Sequence, residues 1–113
     1  MKFAMPRVLV VAVVTLSGAG VTFANEPQFG QWAADPQSCS GAASLTVTAT
    51  TLQRSGESCT IGKMYKADRA LYIEGRCTSG GIMARHPITL QMKGERLAVT
   101  WNGERLQEMQ RCR

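Results

Sequence analysis

The chain has 113 residues, 19% of them charged, and its 13 Lys and Arg outnumber its 8 Asp and Glu to give a formal net charge of +5. The charges are interspersed, as in "KADR" and "NGER", so the clustered basic face of a nucleic-acid binder is missing and no nucleic-acid partner is expected. The length allows one small domain, whose core alone buries too little surface for comfortable stability.

The first segment, "MKFAMPRVLVVAVVTLSGAGVTFA", has Lys2 and Arg7 ahead of an apolar run from Val8 to Leu16 and then small residues up to Ala24. That layout predicts a secretory signal peptide over residues 1–24, cleaved before Asn25. The apolar run is shorter than the about 20 residues a spanning helix needs. "LSGA" holds Ala19 where a lipoprotein would carry its lipidated cysteine. No membrane association is therefore expected after cleavage. Residues 25–113 form the expected single domain. Without Lys2 and Arg7 it is left with 11 basic and 8 acidic side chains in 89 residues, a net charge of +3.

The next stretch, "NEPQFGQWAADPQSCSGA", has two prolines and reads as an extended arm with one short strand around Trp32. "SLTVTATTLQR" (Ser44 to Arg54) alternates Leu45 and Val47 with threonines and reads as a strand. "SGES" turns the chain into two runs divided near "KADR", and "CTSGG" turns it again. "ITLQM" alternates Ile88, Leu90 and Met92 with polar residues, and "RLAVTW" puts Leu97, Val99 and Trp101 on one face. Asn102-Gly103 is the strongest short hairpin signal, because both positions tolerate positive φ. "RLQEMQRC" closes the chain as a last strand. Pro87 interrupts a strand pattern and cannot donate to a ladder, so it marks an edge, a bulge or a break. Short alternating runs with regular turns predict an all-β fold, a small antiparallel meander or β-barrel of six to seven strands.

The four cysteines, Cys39, Cys59, Cys77 and Cys112, lie beyond the signal segment and are expected to form two disulfides. Three connectivities can be drawn. A hairpin with the loop Ala67-Asp68-Arg69 places Cys59 opposite Cys77. It also sorts Cys59, Ile61, Tyr65, Leu71, Ile73 and Cys77 onto one face, with Lys63 as the misfit. Either Lys63 snorkels past a rim or the hairpin is bulged there and the pairing is off by one. Directly opposed residues lie about 4.5 to 5.5 Å apart, within a disulfide's reach, and closing this loop is worth roughly 3 kcal/mol. Cys39 and Cys112 then pair by elimination. The wide spacing of the cysteines matches neither the close pairs of a zinc site nor a redox C-x-x-C, so no metal and no cofactor is expected.

His86, alone in the chain, has no partner motif for nucleophilic or metal chemistry around it. It reads as a surface or satisfied core residue. Glu74, Glu104 and Glu108 read as solvated charge, and "TSGG" (Thr78 to Gly81) as a turn with no helix behind it to receive an anion. The expectation is a non-enzymatic protein.

"FGQW" (Phe29 to Trp32), ahead of a strand meander, resembles the G-x-W signature of lipocalin-like small β-barrels. The same motif, followed by a cysteine, is found in bacterial periplasmic inhibitors of secreted metalloproteases. The resemblance implies that Trp32 closes one end of a barrel and packs on an arginine of the last strand, for which Arg111 is best placed. It would make Trp32 and Arg111 structural anchors, with Cys39–Cys112 pinning the same two ends. Lysozyme inhibition ranks lower, since Ser79-Gly80 lacks the tyrosine of that inhibitor motif and a +3 chain is a poor match for basic lysozymes. The functional expectation is a small bacterial binding protein, periplasmic or secreted, inhibiting an exported hydrolase or protease through exposed loops and the N-terminal arm. The alternative is a small-ligand carrier with an apolar lumen lined by Leu71, Ile73, Leu97 and Val99. The oligomeric state is not legible in the sequence.

Overall fold

The computed structural model describes residues 25–41 and 43–113. The signal-peptide segment, residues 1–24, lies outside the described residues. In chain order the strands are β1 (Gly30–Ala33), β2 (Leu45–Val47), β3 (Thr51–Arg54), β4 (Glu57–Ala67), β5 (Ala70–Ser79), β6 (Ile82–Lys93), β7 (Arg96–Trp101), β8 (Glu104–Arg105) and β9 (Met109–Arg111). A short 3-10 turn, Pro36–Ser40, follows β1, and the Asp35 carboxylate accepts from the Ser38 N–H at 3.0 Å to start it.

Each strand from β1 to β7 pairs antiparallel with the next, and β9 pairs with both β7 and β1. The sheet thus closes into an eight-stranded antiparallel barrel. β8 is the extra strand, pairing with the end of β7 after the Asn102-Gly103 turn, where both residues have positive φ (53° and 86°).

Nine segments appear where six or seven strands were expected, because two predicted strands are each divided. Ser44 to Arg54 folds back on itself: the Thr48 hydroxyl accepts from the N–H groups of Thr50 (3.2 Å) and Thr51 (2.9 Å), turning β2 into β3 so that Val47 faces Leu52. A side-chain hydroxyl replacing a ladder partner is the known competitor of extended structure in threonine runs. The last predicted strand is likewise split into β8 and β9.

The β4–β5 hairpin has a two-residue loop, Asp68-Arg69, not three, with Asp68 at φ 55°. Near the turn, Lys66 pairs with Leu71 and Tyr65 with Tyr72; at the open end, Ile61 pairs with Gly75 and Cys59 with Cys77. A bulge between Ile61 and Lys63 absorbs the one-residue difference. The expected face is therefore corrected over half its length. Met64, not Tyr65, turns toward the core beside Ile73, and Tyr65 is exposed.

The core fills the barrel. Trp32, Leu45, Leu52, Leu71, Leu90, Leu97 and Val99 are 0% exposed, so no water-sized space touches them from outside or from within. Eight strands give an interior just wide enough for side chains to fill. Both disulfides are formed, Cys39–Cys112 and Cys59–Cys77. Among the described residues no cysteine is free, which fits an oxidising, extracytoplasmic environment. No helix among these residues is long and apolar enough to cross a membrane.

Candidate functional site

The lower end of the barrel, where the β4–β5 and β6–β7 turns lie, is closed by the segment that precedes β1. Gln28 is buried, and its side-chain amide donates to the carbonyls of Arg69 (2.9 Å) and Leu90 (3.3 Å). The Trp32 indole N–H donates to the Gln28 carbonyl at 2.9 Å. The Arg111 guanidinium lies over the Trp32 ring, 4.4 Å from its centroid, and donates to the carbonyls of Phe29 (2.9 Å) and Pro27 (2.6 Å). One side chain therefore holds the ring and the backbone of the arm together.

Gly30 is required at this point. Its φ is +131°, and a Cβ built there would stand 2.6 Å from Arg111 Nη1. Cys39–Cys112 fixes the segment after β1 to the residue after β9, and the Cys112 N–H donates to the Gln31 carbonyl at 2.8 Å. The arm itself is folded onto the barrel: Glu26 forms an ion pair with Lys66 at 3.2 Å, and the chain is tied down from there to Phe29.

The opposite end holds a polar cluster that the sequence does not announce. Glu57, at the start of β4, accepts from the Trp101 indole at 3.1 Å through Oε1 and meets His86 Nε2 at 3.0 Å through Oε2. The Arg54 guanidinium covers the Trp101 ring at 4.9 Å. His86 Nδ1 lies 3.0 Å from the Arg85 carbonyl. Both ring nitrogens thus face oxygen atoms, one of a backbone carbonyl and one of a carboxylate. The carboxylate and imidazole are each 16% exposed and packed under the Cys59–Cys77 disulfide. Glu57, His86 and Cys77 bring donor atoms within 4.8 Å of one another. The Cys77 sulfur is bonded to Cys59, however, and a metal-binding cysteine must be a thiolate. What Glu57, His86 and Trp101 do together is bridge β4, β6 and β7 across the barrel end. Glu57 lies in a stretch that reads as a turn, so the register of four strands, rather than any motif, creates the cluster.

The third feature lies outside. The bulge at Gly62 turns Tyr65 outward, where its ring stacks on that of Tyr72 with centroids 5.4 Å apart and planes 18° from parallel. Tyr65 is 64% exposed. The two rings border an open groove of about 500 Å³ that continues past Lys63, Glu74, Arg85 and Pro87 to Thr89. Arg85 and Glu74 form an exposed ion pair at 3.7 Å. A smaller hollow of about 280 Å³ adjoins it over Gly62 and adds Arg76. Three cations and one carboxylate thus surround an aromatic pair. The chain matches no family model, no curated protein and no solved structure.

Proposed function

We propose that the protein is a small exported binding protein without catalytic activity, periplasmic or secreted, that engages another exported protein such as a hydrolase through its outer surface. The observation that carries the reading is the contrast between the two sides of β4–β6. Inside, the leucines and valine that could line a lumen meet no water-sized space. Outside, the stacked tyrosines and the cations form an open groove. Tyrosine and arginine are the side chains enriched where proteins bind proteins, since they bring large contact area and a polar tip at low entropic cost.

The positions of Gly30, Trp32 and Arg111 support kinship with lipocalin-like barrels and their protease-inhibiting members. The arm expected to reach into a partner is instead folded over the barrel end, which turns attention to the groove. The carrier reading is less well supported, because Leu71, Leu97 and Val99, expected to line its lumen, are 0% exposed and leave no room among them for a ligand cavity of about 300 Å³ or more.

The test is inhibition of a panel of secreted proteases and glycosidases by the wild-type protein, with Tyr72→Ala and Lys63→Glu as groove variants. Stoichiometric inhibition, weakened roughly tenfold or more by either variant, is the expected result for anchors of this kind. Stoichiometric binding of a fluorescent fatty acid, unchanged in both variants, would favour the carrier instead.

A further inference from the structure

β6 is twelve residues long, and β7 covers only its second half, from Ile88 to Lys93. The first half, Ile82 to Pro87, pairs with β5 on one side. On its other side no strand among the described residues pairs with it. The side that each backbone group faces follows from the ladder. Asn102 donates its N–H to the Pro87 carbonyl at 2.8 Å, so Pro87 points its backbone toward β7. In an antiparallel strand the direction alternates residue by residue, so Met83 and Arg85 also point their N–H and C=O groups away from β5, into open space. Arg85 O additionally meets His86 Nδ1, which leaves the second lone pair of that carbonyl. The side chains on this edge are apolar and exposed: Ile82 is 74% and Met83 69% exposed.

An unpaired strand edge bearing exposed apolar side chains is a template for pairing. We infer that the edge Ile82–His86 binds the same edge of a second copy of this chain, forming a two-fold dimer with Ala84 on the axis.

The register argues for a second copy rather than an unrelated strand. Centred on Ala84, the antiparallel pairing sets Met83 opposite Arg85 of the other copy, and Arg85 opposite its Met83. Those are the two residues whose backbone groups face outward, so both pairs close fully and four hydrogen bonds form. Ala84 meets Ala84 of the other copy as a non-hydrogen-bonded pair, the kind with the closest side chains, and its methyl group leaves room. Ile82, Ala84 and His86 from both copies then share one face, with each Ile82 opposite the His86 of the other copy. On the other face Met83 covers the stem of the opposing Arg85, whose charge stays with Glu74 at 3.7 Å.

Neighbouring registers lose these matches. Centring on Arg85 stacks two guanidinium groups and puts Met83 opposite Pro87, which has no N–H and whose carbonyl is taken by Asn102. Centring on Met83 puts Arg85 opposite Gly81, which is in the left-handed turn at φ 84°. The ladder is thus bounded by Gly80-Gly81 on one side and Pro87 on the other, with its midpoint at Ala84.

The experiment is sedimentation equilibrium of the full chain, exported and purified with both disulfides intact, beside Ala84→Lys and Ala84→Cys. The wild type is expected to dimerise. Ala84→Lys sets two ammonium groups directly opposite each other and should weaken the dimer roughly tenfold or more. Residue 84 is exposed in the monomer, so near-ultraviolet circular dichroism should be unchanged. Ala84→Cys should give a covalent dimer on a non-reducing gel, joined 84 to 84. A wild type that stays monomeric at its highest soluble concentration overturns the inference. So does a dimer that Ala84→Lys leaves intact, or one in which Ala84→Cys fails to cross-link.

Discussion

Arg111 makes three contacts at the closed end of the barrel, and replacing it tests whether that closure holds the fold. Arg111→Ala removes a cation–π contact with Trp32 at 4.4 Å, a half-buried hydrogen bond to Phe29 O at 2.9 Å and an exposed one to Pro27 O at 2.6 Å. The first is worth about 0.5–2 kcal/mol. The second, from a charged donor, is worth about 1.5–3 kcal/mol, and the third adds little because water replaces it. Some of this is recovered by rearrangement, so the expected loss is about 2–4 kcal/mol. For a domain of this size that is a large part of the roughly 5–15 kcal/mol available. It should lower the melting temperature by about 4–8 °C for each kcal/mol lost.

Arg111→Lys separates charge from shape. A lysine keeps the positive charge but cannot lie flat on the indole while donating to two carbonyls, so it should recover at most about half of the loss. The assay is urea unfolding of wild type, Arg111→Ala, Arg111→Lys, Trp32→Leu and the double variant Trp32→Leu/Arg111→Ala. The cycle should return a coupling of about 0.5–2 kcal/mol between ring and guanidinium. Full rescue by lysine, or additive single losses, would refute the argument that one planar group joins the arm to the ring.

Two further perturbations probe the same logic. Gly30→Ala places a Cβ where Arg111 Nη1 now lies and forces an L side chain to φ +131°. It should cost about 1–3 kcal/mol in urea unfolding, and part of that cost should vanish in an Arg111→Ala background, where the clash is gone. At the other end, Glu57→Leu leaves the Trp101 N–H and the His86 ring without their shared carboxylate. The expected loss is about 1–3 kcal/mol, against a smaller one for Glu57→Gln, which still accepts from Trp101. Equal losses for the two would show that the carboxylate's charge, and not its acceptor atoms, joins the strands.

Alternation of apolar side chains was enough to read the all-β class, and the turn at Asn102-Gly103 was legible because both positions take positive φ. Closure was legible only through the resemblance carried by Phe29 to Trp32, which implied Trp32 packing on Arg111. Alternation alone does not reveal it, because β9 pairs with β1 through residues far apart in the chain whose pairing leaves no periodic trace. Glu57 escaped for the same reason: it begins a strand inside what reads as a turn, and its partners come from β6 and β7. The free half of β6 was foreshadowed only by Pro87, a residue confined to strand edges and bulges. Which strand would stop short of it is a matter of β7's length, set by the hairpin at Asn102-Gly103.

Lys63 shows how one local misfit carries the rest. A regular hairpin clasped at Cys59 and Cys77 would point Tyr65 into the barrel and leave Lys63 on the apolar face. The bulge adds one residue to β4 and reverses both assignments beyond it, because a one-residue shift exchanges the two faces of a strand. Lys63 moves out to pair with Glu74, Met64 takes the inward place beside Ile73, and Tyr65 comes to lie on Tyr72. Gly62 suits the irregularity: a Cβ there would stand 3.3 Å from the Glu74 carbonyl oxygen. The disulfide fixes the register on one side of the bulge and the Asp68-Arg69 turn fixes it on the other. The extra residue cannot slide out at either end, and the aromatic face of the groove follows from that constraint.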